Sequence, residues 1–303
     1  IYPGLVYRYG KAIDDPMMQG FGAFYALREN WGGKTPSGTF ETIIHDLFDT
    51  HEIINSKPVK PFIGECWLPE SQFVVARDKA GSKNGFYFAA KGGFNDESHN
   101  HNDVCTFILY YDGLPVLIDV GVGTYTRQTF SRERYSIWTM QSGYHNLPVI
   151  NGQDQRFGKK YAAGKTSFSS SAKTVNFTVD IAGAYPAEAA VNLWQRNYTL
   201  NRGKSLIIKD KYSLKENKGG TSSHFMTSCN ATIEKPGIIK LQGDSFTLQM
   251  RYDAKKINAE LETINVEDKR LQASWGNNLT RIHLNSIDTG LQGETKVEIV
   301  YTK

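Results

Sequence analysis

The chain has 303 residues, enough for one large all-β domain or two smaller ones. Hydrophobic residues make up 40% and charged residues 22%, an ordinary globular balance that argues against a disordered or fibrous chain. The formal net charge of +4 permits an acidic ligand but lacks the basic excess of a nucleic-acid binder, so no nucleic-acid partner is expected.

The three cysteines, Cys66, Cys105 and Cys229, lie far apart with no CxxC spacing. That excludes a disulfide framework and points to buried free thiols, with Cys105 inside a strand. No stretch is long and apolar enough to span a membrane. The chain begins at Ile1 without a signal-like segment, which suggests a processed protein or a fragment.

Tyr2–Glu29 reads as helical, with Asp15-Pro16 as a helix start. Thr39–Ile54 reads as a second, amphipathic helix, in which His45 and His51 are surface or interhelix residues. Lys57-Pro58-Val59-Lys60-Pro61 is a linker. From Phe73 onward, short runs rich in Val, Ile, Phe, Tyr and Thr alternate with Gly, Asn, Asp and Ser turns. Eleven such runs, from Gln72–Ala76 to Lys296–Tyr301, predict a large antiparallel β-sandwich with no helices between its strands.

Within this region, Ser98–Gly123 (SHNHNDVCTFILYYDGLPVLIDVGVG) concentrates chemistry. Asp112-Gly113 is a hairpin signal. The hairpin can bring Asp119 back towards the histidines. If His99 and His101 are strand residues they share a face, about 6–7 Å apart. With His145, in SGYHNLPVING, the set His101, Asp119 and His145 is a plausible divalent-metal site, most naturally zinc, or alternatively a group of satisfied core polar residues. His99 is open to three roles: a fourth ligand, a catalytic group or a loop histidine. Asn100 and Asn102 read as turn and packing groups. The connection Gly121–Tyr144 carries Tyr125, Arg127, Arg132, Arg134, Tyr135 and Trp138. It reads either as a solvated loop or as a surface for an anionic sugar, where Arg forks bind carboxylate or sulfate and aromatic faces stack on rings.

SHNHND–TFILYYDG–PVLIDVGVGTYT followed by SxYHNLPVING resembles the heparinase II/III-like superfamily of polysaccharide lyases. The likeness is densest from Gly85 to Gly152. The resemblance implies a two-part enzyme, an α/α toroid followed by an antiparallel β-sandwich. Residues 1–57 would then be the end of the toroid and residues 58–303 the sandwich. It implies a structural zinc held by His101, Asp119 and His145, a catalytic role for His99, and a substrate-facing tyrosine at Tyr135. Tyr125, Arg127 and Arg134 become substrate-binding candidates. The partner implied is an acidic polysaccharide, such as a glycosaminoglycan or an alginate-like polymer, in a secreted or periplasmic setting. The family's toroid supplies a catalytic tyrosine and a group that neutralises the uronate, and neither can be assigned to a residue here. The isolated chain is therefore expected to lack part of the machinery.

The implied reaction is β-elimination at a uronic acid. Two other readings stay open. HxH with a later acid and a later histidine on β-structure also resembles a cupin-like metal enzyme, although a cupin acid follows its histidines sooner. A non-catalytic carbohydrate-binding module is the third. A glycosidase lacks support, because no carboxylate pair stands out.

Overall fold

The structure, a computed structural model, describes residues 1–33 and 39–302. Its internal contacts divide the chain into two units, Ile1–Ile63 and Gly64 onward.

Among its described residues the first unit holds three α-helices, α1 (Pro3–Ala12), α2 (Pro16–Arg28) and α3 (Phe40–Asn55), where two had been expected. The helical pattern over Tyr2–Glu29 is interrupted at Asp14, whose φ of 55° turns the chain. Asp15 then restarts it. Its carboxylate accepts the backbone N–H groups of Met17 and Met18 at 2.9 and 3.0 Å, and Pro16 occupies a first-turn position that needs no hydrogen-bond donor. Gly22 lets α1 and α2 approach, because a Cβ there would meet the Tyr7 backbone nitrogen at 2.8 Å. Tyr7, Ala26 and Ile53 form the small core of this unit. None of the described helices is long and apolar enough to cross a membrane.

The second unit is an antiparallel sandwich. One sheet has five strands in sequence order: Glu65–Leu68, Phe73–Arg77, Phe86–Lys91, Phe107–Tyr111 and Leu114–Leu117. The other has eight, with Ser205–Leu214 between Val191–Asn201 and Gln292–Tyr301 near its middle. Both follow from alternation. Thr174–Asp180, for example, buries every second residue and points the rest outward. The inward faces meet at aromatic contacts. Tyr198 of the larger sheet lies 5.1 Å, ring to ring, from both Phe88 and Phe107 of the smaller one. A four-stranded sheet built on Asn278–Ser286 and Ser222–Thr227 flanks the same core.

Two local expectations fail. The strand region does contain a helix, α4 (Lys269–Trp275), capped by Asp268. Cys105 precedes its strand, with φ of 72°, instead of lying in it. It is nonetheless buried and free, and burial pushes its thiol up to about 12.

One polar cluster inside the core sets a strong stability expectation. Arg196 and Asp210 are cross-strand partners, fully buried and paired through two bonds of 2.7 and 2.6 Å. Arg196 also donates to the Asn146 carbonyl at 2.9 Å. Arg196→Met strands the Asp210 carboxylate without a partner and is expected to cost about 3–5 kcal/mol in denaturant unfolding. An unchanged midpoint would refute that.

Candidate functional site

The Asp112-Gly113 hairpin forms as the sequence indicates, with both residues at positive φ, 52° and 82°. It joins Phe107–Tyr111 to Leu114–Leu117. The residues before it do not extend the strand. Positions 98–106 form a series of turns, and His99 sits in the left-handed region with φ of 58°. The alternation argument for His99 and His101 is therefore incorrect. Side-chain amides replace the missing strand partner. Gln155 accepts the Val104 N–H at 3.0 Å and donates to the Val104 carbonyl at 2.8 Å. Asn95 accepts the Asp103 N–H at 3.1 Å and donates to Gln155 at 3.0 Å. Lys91 pairs with Asp103 at 2.7 Å.

This turn carries His101 towards the returning strand and the segment Ser142–Leu147. One donor atom from each of His101, Asp119 and His145 lies within 4.8 Å of the others. The His101 and His145 rings are 5.4 Å apart. His145 is 1% exposed. Its Nδ1 stands 3.2 Å from Asp119 Oδ2, an ion-pair distance, yet neither ring nitrogen makes an aligned hydrogen bond. Asp119 is braced by the Gly121 N–H on its other oxygen at 2.8 Å.

The electrostatics follow from this crowding. Burial alone would raise the Asp119 carboxyl, but the two imidazoles more than offset it and hold it below its usual range. Burial opposes the charged form of His145, yet Asp119 prevails and raises its pKa. His101 is pushed down by burial and by His145, with Asp119 opposing.

Asn146 went unnoticed in the sequence, although it adjoins His145. It is fully buried, donates to the carbonyls of Phe107 (2.6 Å) and Ile118 (3.1 Å), and accepts the Met226 N–H (2.7 Å). It thereby locks the His145 segment between the hairpin and the neighbouring strand.

Beside the cluster is a groove of about 600 Å³, lined by His99, Phe130, Arg132, Arg134, Tyr135 and Phe157 among others. His99 is exposed and makes no hydrogen bond to the described residues. Tyr135 stacks on Phe157 at 4.7 Å, and its hydroxyl accepts Asn100 Nδ2 at 3.3 Å. Burial raises the phenol pKa, with the Asn100 contact opposing. Arg134 donates to the carbonyls of Asn100 (3.0 Å) and Thr129 (3.2 Å), so it braces the His99 turn as well as facing the groove. Tyr125 and Arg127 do not line this groove. Tyr125 stacks on Phe130 at 5.5 Å, with the Arg270 guanidinium 5.5 Å from its ring, while Arg127 is exposed.

A family model described as heparinase II/III-like, C-terminal, matches residues 66–286. No curated protein sequence matches the chain. Among solved structures, the heparan sulfate lyase HepC from Pedobacter heparinus superposes with a TM-score of 0.66 at 16% identity, covering 93% of this chain and 42% of that one. A structure of heparinase III gives a TM-score of 0.62 at 15% identity, over 82% of this chain and 38% of its own. A Paenibacillus xanthan lyase gives 0.52 at 11% identity, over 99% and 31%. At these identities the likeness is one of fold. The chain spans less than half the length of each of these structures.

Proposed function

The chain belongs to the heparinase II/III-like C-terminal family, and from that membership we propose that it is the sandwich part of a lyase cleaving a uronic-acid-containing polysaccharide by β-elimination. The observation that carries the reading is the meeting of His99, Tyr135 and the two arginines, Arg132 and Arg134, on one groove. The solved structures of similar fold are named as lyases of heparan sulfate and xanthan.

The chemistry needs three things. The C5 hydrogen must be taken by a base, the adjacent carboxylate must be neutralised, and the departing O4 must receive a proton. His99 suits the first task because its ring is exposed and without a hydrogen-bond partner among the described residues. The C5–H electron pair then becomes the C4–C5 double bond as the C4–O4 bond breaks. Tyr135 keeps its phenolic proton, because burial raises its pKa, and it lies on the same groove to serve the leaving oxygen. Arg132 supplies positive charge for an acidic chain. The neutralising group belongs to the part of such lyases that has no counterpart assigned here.

The same reading assigns zinc to His101, Asp119 and His145. Two imidazoles and a carboxylate are a usual zinc donor set, and a buried histidine with neither ring nitrogen hydrogen-bonded fits a ligand better than a packing residue. A cation held there supplies cross-linking, because the ligands come from the 98–106 turn, the end of the hairpin and the Ser142–Leu147 segment. It leaves His99 to face the groove.

The protein carrying this chain, mixed with heparan sulfate, chondroitin, hyaluronan and alginate in turn, is expected to generate the ultraviolet absorbance of an unsaturated uronate with at least one of them. Reducing ends released without that absorbance would indicate hydrolysis. Binding without cleavage would leave a carbohydrate-binding module.

A further inference from the structure

Past Phe157 the groove adjoins a larger cavity of about 750 Å³, within the ~300–1,000 Å³ that ligand sites take. Tyr135 and Phe157 line both spaces, so a single stacked aromatic pair stands between them. We propose that this second cavity is a subsite for a neighbouring sugar unit of the same acidic polysaccharide, with Tyr161 as its stacking face and Arg156 as its contact to the acidic substituent. The proposal rests on the lyase reading above for the identity of the chain it would hold.

The lining separates into groups already engaged and groups that are free. Arg281 pairs with Glu262 at 2.6 Å, donates to the Gly143 carbonyl at 3.1 Å and lies 4.0 Å from the Tyr144 ring. His224 is held between the Gly143 carbonyl at 2.9 Å and Ser222 at 2.8 Å. Burial lowers its pKa to about 4, so it brings no charge at neutral pH. These residues shape the wall. Arg156, by contrast, makes no side-chain hydrogen bond or ion pair to the described residues and is exposed. It is a free fork for a carboxylate or sulfate.

Asp154 belongs to the wall: its Oδ1 is buried away from solvent, and burial raises the carboxyl's pKa with Ser142 opposing. Tyr161 and Phe157 supply the apolar faces. One face of Phe157 is taken by Tyr135, and the residue is still 50% exposed. Lys160 places its ammonium 5.0 Å from the Tyr161 ring. Aromatic faces and one guanidinium with no ion-pair partner among the described residues suit a ring that is apolar on one face and singly acidic.

The test measures binding to this chain by calorimetry, using tetrasaccharides and disaccharides of heparan sulfate, chondroitin, hyaluronan and alginate. Whichever tetrasaccharide binds best should lose roughly threefold to tenfold in affinity with Arg156→Ala, with a shallower salt dependence. Tyr161→Ala should lose about tenfold, and Tyr161→Phe should restore it. Disaccharide binding should respond much less, because one unit fills one subsite. Melting temperatures should hold, since Arg156 is exposed and Tyr161 is only partly buried. Failure of every tetrasaccharide to bind, or binding indifferent to Arg156→Ala and Tyr161→Ala, overturns the subsite. The lyase reading is separable. Unsaturated product formed with unchanged KM in both variants sinks the subsite and leaves the reaction standing. Variant-sensitive binding without any unsaturated product does the reverse.

Discussion

Replacing His99 by alanine in the protein that carries this chain should lower turnover by ~10²–10⁴-fold, the usual loss when a positioned proton-transfer group is removed. Melting temperature and zinc content should stay near those of the unaltered protein. The reason is geometric. His99 is exposed at φ of 58°, has no hydrogen-bond partner among the described residues, and is outside the three-residue donor cluster. A histidine tolerates that backbone better than most residues, but the conformation still costs energy, so alanine at this position is at worst mildly unfavourable to folding. Loss of zinc together with activity would move His99 into the ligand set. Full activity would return it to an ordinary turn residue and leave the groove's chemistry to Tyr135 and Arg132.

The second large effect is expected at His145. His145→Ala removes a 1%-exposed ring, leaves Asp119 without its nearest countercharge and takes away one of three donors. The expected loss is about 2–3 kcal/mol, below the ~3–5 kcal/mol of a fully buried pair because the Asp119 side chain stays 30% exposed. For a unit of this size that corresponds to a fall of roughly 5–10 °C in melting temperature. A chelator should produce a comparable fall in the unaltered protein and almost none in the variant. If the chelator does nothing and elemental analysis finds no metal, the cluster is an ion pair and not a cation site.

The pH dependence gives the same test a sign. His145 has a raised pKa, so its contribution as an imidazolium is present below the ordinary imidazole value and is lost as pH rises through the raised one. Asp119 is depressed, so its contribution is present above the ordinary carboxylate value and is lost only as pH falls through the depressed one. A cation requires His145 neutral and must displace its proton. Zinc retention should therefore weaken as pH drops below the raised His145 value, while the metal-free pair keeps its strength until Asp119 protonates. His101, already lowered, should not limit binding near neutral pH.

Features made of contiguous residues were legible in the sequence. Asp112-Gly113 dictates its own turn because both residues tolerate positive φ, and the strands on either side then pair without outside help. Asp15-Pro16 marks a helix start because the cap and the first-turn proline act within three residues. Runs read from the sequence over Thr174–Ile181 and Asn192–Asn201 match the observed strands Thr174–Asp180 and Val191–Asn201, and the SHNHND and YHNLPVING runs carried the family likeness. Tertiary structure decided what depends on distant partners. The turn at 98–106 exists because Gln155, 51 residues along the chain from Val104, supplies the hydrogen bonds a neighbouring strand would have made. No local pattern encodes that. Asn146 holds its neighbour His145 in place through carbonyls 39 and 28 residues away. Tyr125 and Tyr135 look equivalent in a loop rich in aromatics and arginines. Only packing separates them: Tyr135 stacks on Phe157 and itself lines the groove with His99, whereas Tyr125 stacks behind the groove-lining Phe130 without lining it.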